Sequence, residues 1–274
     1  MSEHLPDLPQ DEPLIYMKDI RKQFGTIVAL DGVDFKVWGG KVIGLLGDNG
    51  AGKSTLIKVL MGVYAPTSGQ IYWEGQPVRI NSPQEAQNLG IEAVYQDLAL
   101  IPLMSIARNF YLGREPVKRQ IGPIKILDQV AMEKQAEEAL LEIGIHIRSP
   151  KHPVGSLSGG ERQSVAIGRA VYFGKRVLIL DEPTSALSIG ETRKVLNYTT
   201  AAAERGMGVI FITHNIFHVF EVADIFTVIY HGRKVGDFPK EVVDQETVAE
   251  MIMTGQVPRR LEKYAADGAS IIDD

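Results

Sequence analysis

Apolar and polar residues alternate in "LIYMKDI" at 14–20 and "VDFKV" at 33–37, the pattern of strands with one exposed face, and "ALDG" between them reads as a turn. "KVIGLL" at 41–46 is instead a continuous apolar run, as expected of a strand buried on both faces. A helix is predicted from Lys53 to about Met61, and "SGQIYWEG" at 68–75 reads as a further strand. From about Pro102 to Pro153 the texture is helical, as in "LDQVAMEKQAEEALLEIGI", where Val130, Ala131, Ala139, Leu140, Leu141 and Ile143 are apolar and charges stand between them. Beyond Ser158 the two periods alternate. The pattern predicts a helix at 161–173, a strand at 176–181, a helix at 190–205 and a strand at 208–213. A final hairpin in "DIFTVIYHGRKVGDF" turns at His231-Gly232. Such alternation implies an α/β fold with a parallel sheet covered on both faces, interrupted by a helical block at about 100–160. Residues 1–13 and 256–274 show no periodicity and read as flexible tails around a unit spanning 14–255.

Composition narrows the function classes more than the fold. The chain of 274 residues has a net charge of −5, which argues against a protein built to coat nucleic acid, since that leaves a basic footprint. It has no cysteine, so disulfides and thiolate metal sites are excluded, and a reducing compartment is the simple reading. The acidic, proline-bearing start "MSEHLPDLPQDEP" does not resemble a secretory signal. No apolar run approaches the roughly 18 residues a membrane helix needs, so any work on a membrane requires another chain to cross it.

The buried run at 41–46 leads straight into "GDNGAGKST", Gly47 to Thr55, which fits G-x-x-x-x-G-K-[ST] in its required place between strand and helix. In that motif Gly47, Asp48, Asn49, Gly50, Ala51 and Gly52 curl the backbone so that N–H groups face a β-phosphate. Lys53 then reaches the β and γ oxygens, and Ser54 offers its hydroxyl to Mg²⁺. A second apolar run ends in "DEP". Acids closing a buried strand need a cationic partner, so Asp181 would hold the water shell of Mg²⁺ and Glu182 would orient and deprotonate an attacking water. "LSGGERQSVAIGR" supplies another anion site. Ser158 and Glu161 form a capping box at a helix start, and Gly159 and Gly160 open it to a negative ligand. Three residues stay ambiguous on chemistry alone. His214 after "GVIFIT" is catalytic or merely structural, Gln96 in "AVYQD" ligates Mg²⁺ or caps a turn, and Phe24 in "QFGTIVAL" packs a hairpin or serves a ligand.

The order "GDNGAGKST", "YQD", "LSGGERQ", "LILDEPTSALS" and "THN" resembles the nucleotide-binding subunit of ATP-binding cassette (ABC) transporters over about residues 14–255. "FGTIVALDGVDF", "GVYAPTSGQIYWEGQPV", "SPQEAQNLGI", "IARNFYLGREP" and "THNIFHVFEVADIFTVIYHGRKVG" are similar to the ATPases of bacterial monosaccharide importers. The resemblance implies a P-loop NTPase core with an N-terminal antiparallel β subdomain and an inserted α-helical subdomain. It implies ATP and Mg²⁺ as ligands and ATP hydrolysis coupled to monosaccharide uptake. Position by position, it implies that Phe24 stacks on adenine and Gln96 senses the γ-phosphate through Mg²⁺. His214 would contact the γ-phosphate, and Ser185 to Ser188 would cross to a second subunit. Ser158, Gly159 and Gly160 of one chain would close on ATP held by Lys53 of the other, in a head-to-tail homodimer. The partners implied are a membrane permease on the cytoplasmic face of a bacterial membrane and, indirectly, a sugar-binding protein. Exporters, and soluble relatives in translation or repair, are the alternatives. Two positions depart from the family. Ser188 stands where Asp is common and pairs with Glu191 as another capping box. Glu161 stands where many relatives have Gln and would fold back onto the Ser158 N–H.

Overall fold

The structure is a computed structural model that describes residues 6–185 and 187–273. Strands β1 (Ile15–Phe24) and β2 (Ile27–Val37) form an antiparallel hairpin, and β3 (Val42–Leu46) follows, buried at every position. The hairpin turns at Gly25-Thr26, where Gly25 has a φ of 57°. The stretch "ALDG", expected as a turn, instead lies inside β2. Between the pairs Ile20↔Val33 and Lys22↔Leu30 the register slips by one residue, and Gly32 takes a φ of 75°. Glycine at a bulge carries the same composition signal as glycine at a turn.

After β3 come α1 (Lys53–Leu60), β4 (Ser68–Trp73), β5 (Gln76–Val78), α2 (Pro83–Asn88) and β6 (Ile91–Val94). Strands β4 and β5 extend the first hairpin into a sheet ordered β2-β1-β4-β5. The inserted block holds α3 (Ile106–Phe110), β7 (Val117–Ile121), β8 (Ile124–Leu127) and α4 (Gln129–Glu142), and it leads into α5 (Gly159–Phe173). It is therefore less purely helical than its periodicity suggests. The β7–β8 hairpin is exposed throughout, so no buried face marks it in the sequence, and only Gly122-Pro123 at its turn betrays it. Ile106, Phe110, Met132, Ala136 and Leu140 pack with Val165 of α5 into a separate small core.

The chain continues through β9 (Val177–Asp181), α6 (Ile189–Glu204), β10 (Gly208–Ile212), α7 (Ile216–Val222), β11 (Ile225–Tyr230) and β12 (Arg233–Pro239). The second sheet is ordered β12-β11-β3-β10-β9-β6, parallel from β11 to β6 with β12 antiparallel at one edge. Its register pairs Ile212 with both Leu45 and Asp181, which brings the carboxyl ends of β3, β10 and β9 level. In open α/β sheets that edge is where ligands bind.

After α8 (Gln245–Thr254), strands β13 (Gln256–Pro258) and β14 (Ser270–Ile272) pair with each other. The flexible tail expected at 256–274 is thus corrected over its described residues. Val257, Leu261 and Tyr264 are buried in the main core, three apolar anchors too widely spaced to register as a period. The described part of the N-terminal tail is held as well. The Tyr264 hydroxyl donates to the Pro6 carbonyl, Trp38 Nε1 donates to the Asp11 carbonyl at 3.1 Å, and Leu8 packs on the core. Residues 1–5 lie outside the described part of the chain.

Candidate functional site

Three loops at the level carboxyl ends of β3, β9 and β10 enclose a cleft of about 400 Å³. The first runs from Gly47 to α1. Gly47 has a φ of 154°, and a Cβ there would stand 2.3 Å from the Ile229 carbonyl oxygen. Gly52 has a φ of 110°, and its Cβ would stand 2.8 Å from that of Ala29. Both positions admit only glycine. Gly52 caps α1 without a side-chain hydrogen bond and no acid lies in the first turn, so the helix start faces the cleft with its positive end uncompensated. Lys53 Nζ folds back to donate to the Gly47 carbonyl at 2.6 Å and the Asp48 carbonyl at 3.0 Å. Burial pushes the Lys53 pKa down, against the opposing pull of Glu182, Asp48 and Asp181.

The second loop follows β9. Burial pushes the Asp181 carboxyl up and the neighbouring Glu182 pushes the same way, with Lys53 and Lys58 partly offsetting both. Glu182 has a φ of 51°, a left-handed backbone that side-chain-bearing residues adopt at a cost, and its N–H donates to the Ile212 carbonyl at 2.9 Å. That bond locks the loop to β10. The third loop supplies His214, whose backbone N–H and ring Nδ1 approach Glu182 Oε1 at 3.0 and 2.9 Å, while the Thr213 hydroxyl donates to Oε2 at 3.2 Å. A carboxylate only accepts, so Nδ1 carries the proton and Nε2 is left for another partner. An ionised carboxylate has about four acceptor positions. The three bonds above fill both on Oε1 and one on Oε2, leaving one for a water proton.

Asn49 through Thr55, Gln96, Asp181, Glu182 and His214 all line this one cleft, and Gly47 and Asp48 contribute the carbonyls that hold Lys53. Ala29 and Ser185 also line it. Nothing in the sequence marks Ala29, whose carbonyl instead wedges against Gly52. Ser54, Gln96 and Asp181 together offer a hydroxyl, an amide and a carboxylate. This is the hard-oxygen set Mg²⁺ takes when phosphate oxygens and waters complete its shell, so these residues fit the ion. Phe24 does not line the cleft. It is 40 % exposed, sits edge-on to Tyr64 with centroids 5.1 Å apart, and has Lys22 Nζ 4.8 Å from its ring.

Ser158, Gly159 and Gly160 are likewise absent from the cleft lining. Ser158 forms the expected capping box at the start of α5, giving its N–H to Glu161 Oε2 at 2.8 Å and accepting the Glu161 N–H at 3.1 Å. Ser188 forms the other expected box with Glu191 at the start of α6, while Ala186 in the loop before it lies outside the described residues. A larger cleft of about 940 Å³ lies between β1, β2, β12 and the C-terminal segment. Two of its charged residues, Arg21 and Arg233, are both held by Asp31.

Residues 30–185 match the family model described as "ABC transporter". The chain is similar to the fructose import ATP-binding protein FrcA of Rhizobium meliloti, 43% identical over 90% of this chain and 97% of that one. It is equally similar, at 43% over 87% of this chain and 93% of that one, to the xylose/arabinose import ATP-binding protein XylG of Sulfolobus acidocaldarius. It is also 43% identical over 90% of its length to the ribose import ATP-binding protein RbsA 1 of Rubrobacter xylanophilus, of which it spans 49%. Among solved structures, the ADP conformation of MJ1267, an ATP-binding cassette of an ABC transporter, superposes with a TM-score of 0.73 at 25% identity. The match covers 88% of this chain and 95% of that one.

Proposed function

The chain belongs to the ABC transporter ATP-binding family, and from that premise we propose that it is the ATP-hydrolysing subunit of a monosaccharide importer. ATP's β- and γ-phosphates sit on the N–H groups of residues 50–55 against Lys53, where the α1 start and the ammonium both favour negative charge. Ser54, Gln96 and Asp181 would hold Mg²⁺, which when bound would supply positive charge against the phosphates. Glu182 uses its open Oε2 position to align a water and accept its proton as the water oxygen bonds to the γ-phosphorus. The bond from that phosphorus to the β–γ bridging oxygen breaks, releasing ADP and phosphate. His214 keeps Glu182 aimed through its Nδ1–H, and its Nε2 donates to the γ-phosphate only when the ring carries a second proton. The exposed Phe24 ring, beside the turn that joins β1 and β2, offers adenine a π-face.

The observation that carries this reading is Glu182, a carboxylate on a left-handed backbone with one free acceptor position, facing an uncapped helix start across a single cleft. Its closest test is Glu182→Gln. ATP binding should persist while phosphate release falls by about a hundredfold or more, the scale of a lost general base. Turnover at the unaltered rate would reject Glu182 as the base.

The sugar assignment rests on relatives named for fructose, xylose/arabinose and ribose import. The relatives are named as import ATP-binding proteins, and on that likeness the solute path belongs to a separate permease at whose cytoplasmic face this chain works. A sugar-binding protein would deliver the solute on the far side. Copurification with that permease followed by sugar-stimulated ATPase activity tests the assignment, and stimulation by a non-sugar solute alone would overturn it. Two copies of the chain pair head to tail, so that Ser158, Gly159 and Gly160 of one meet the γ-phosphate held by the other. A cassette at 24% identity, MJ0796, has a dimeric structure bound to ADP and phosphate.

A further inference from the structure

The start of α5 is already occupied by an anion, and it comes from the same chain. Glu191, in the first turn of α6, spends Oε2 locally on the Ser188 N–H at 3.0 Å and hydroxyl at 2.8 Å. Its Oε1 reaches 31 residues back along the chain to accept the Gly160 N–H at 3.1 Å and the Ser158 hydroxyl at 3.3 Å. One carboxylate thus caps two helices. Only glycine admits it, because a Cβ on Gly160 would lie 2.1 Å from Glu191 Oε1. With the Ser158 N–H already given to Glu161, the Ser158 N–H and hydroxyl and the Gly160 N–H are all engaged.

We propose that Glu191 is a positioning residue for the shared ATP site, an internal stand-in for the γ-phosphate that holds the α5 cradle until nucleotide on a second copy displaces it. The proposal rests on the head-to-tail reading above. A phosphate and a carboxylate compete for the same N–H and hydroxyl, and they repel each other, so both cannot sit there. Hydrogen bonds from Ser188, and then from Ser158 and Gly160, hold the Glu191 carboxyl below the usual range and therefore charged at neutral pH. The residue is only half-buried, so water can replace these bonds when it leaves.

The test uses ATP-driven dimerisation of the full chain in a Glu182→Gln background, followed by sedimentation. Adding Glu191→Gln keeps an amide oxygen for the same donors and removes only the charge. The ATP concentration at half-dimerisation should fall about two- to fivefold, the scale of a charge at an exposed helix start. Nucleotide affinity of the monomer should stay as in the parent. The melting temperature should fall slightly with the loss of charge at two helix starts, whereas a merely structural cap would not lower the half-dimerisation point. Glu191→Ala, which empties the cradle, should lower the half-dimerisation point at least as far. A midpoint that is unchanged or raised in Glu191→Gln overturns the proposal alone. No ATP-dependent dimer in the Glu182→Gln parent overturns the shared-site reading and the proposal with it.

Discussion

The starts of α1 and α5 are both glycine-flanked helix N-termini, yet they are prepared for anions in opposite ways. At α1 no side chain caps the helix, no acid lies in its first turn, and a lysine stands ready beside it. At α5 a capping box closes two N–H groups and a distant glutamate takes a third, together with the serine hydroxyl. The difference teaches which site binds first. An uncompensated helix dipole with a charged amine draws phosphate to a lone chain, whereas a satisfied helix start gains nothing from phosphate until something repays the displaced carboxylates. The first site is therefore a resident nucleotide site and the second one engages only when a partner brings the ligand.

The sharpest break in that comparison is to disarm α1. Lys53→Ala removes the charge-assisted contact to the β and γ oxygens, and ATP affinity of the isolated chain should drop about tenfold or more by titration calorimetry. Unchanged affinity would place the resident site elsewhere. A smaller effect probes the cost of keeping the first cleft ready. The Asp181 carboxyl titrates above its unfolded value, so the nucleotide-free fold binds its proton more tightly than the unfolded chain does, and stability falls as pH rises through that interval. Asp181→Asn should then raise the melting temperature of the nucleotide-free protein at pH 7. The gain should vanish as pH falls below the ordinary carboxylate pKa of about 3.9. The smallest effect belongs to α5. Glu161→Gln keeps an acceptor for the Ser158 N–H, so denaturant melts should move by no more than about 1 kcal/mol.

The two sites were also unequally visible in the sequence. The α1 loop is local, with strand, glycines, lysine and helix contiguous from Val42 to Leu60, so its geometry follows from neighbouring residues. Asp181 and Glu182 were legible because they close a buried strand, whereas His214 stayed ambiguous until the sheet register brought the strand ends level. Glu191 is different. As a capping partner of Ser188 it was readable, but its reach to Gly160 depends on α5 and α6 packing side by side, which no period encodes. The same limit hid the exposed β7–β8 hairpin and the tail anchored by Leu261 and Tyr264, whose stability comes from long-range contacts rather than local pattern. The bulge at Gly32 shows the converse error, a local turn signal overridden by strand pairing.

Ser158 tests most directly whether the α5 start completes a site carried by another copy. Ser158→Arg leaves the α1 cleft untouched and fills the second cradle with a bulky side chain, so ATP binding to the monomer and turnover are measured on the same preparation. Nucleotide affinity should be unaltered and hydrolysis lost. Hydrolysis at the unaltered rate would contradict a shared site, because the cleft of a single chain would then suffice.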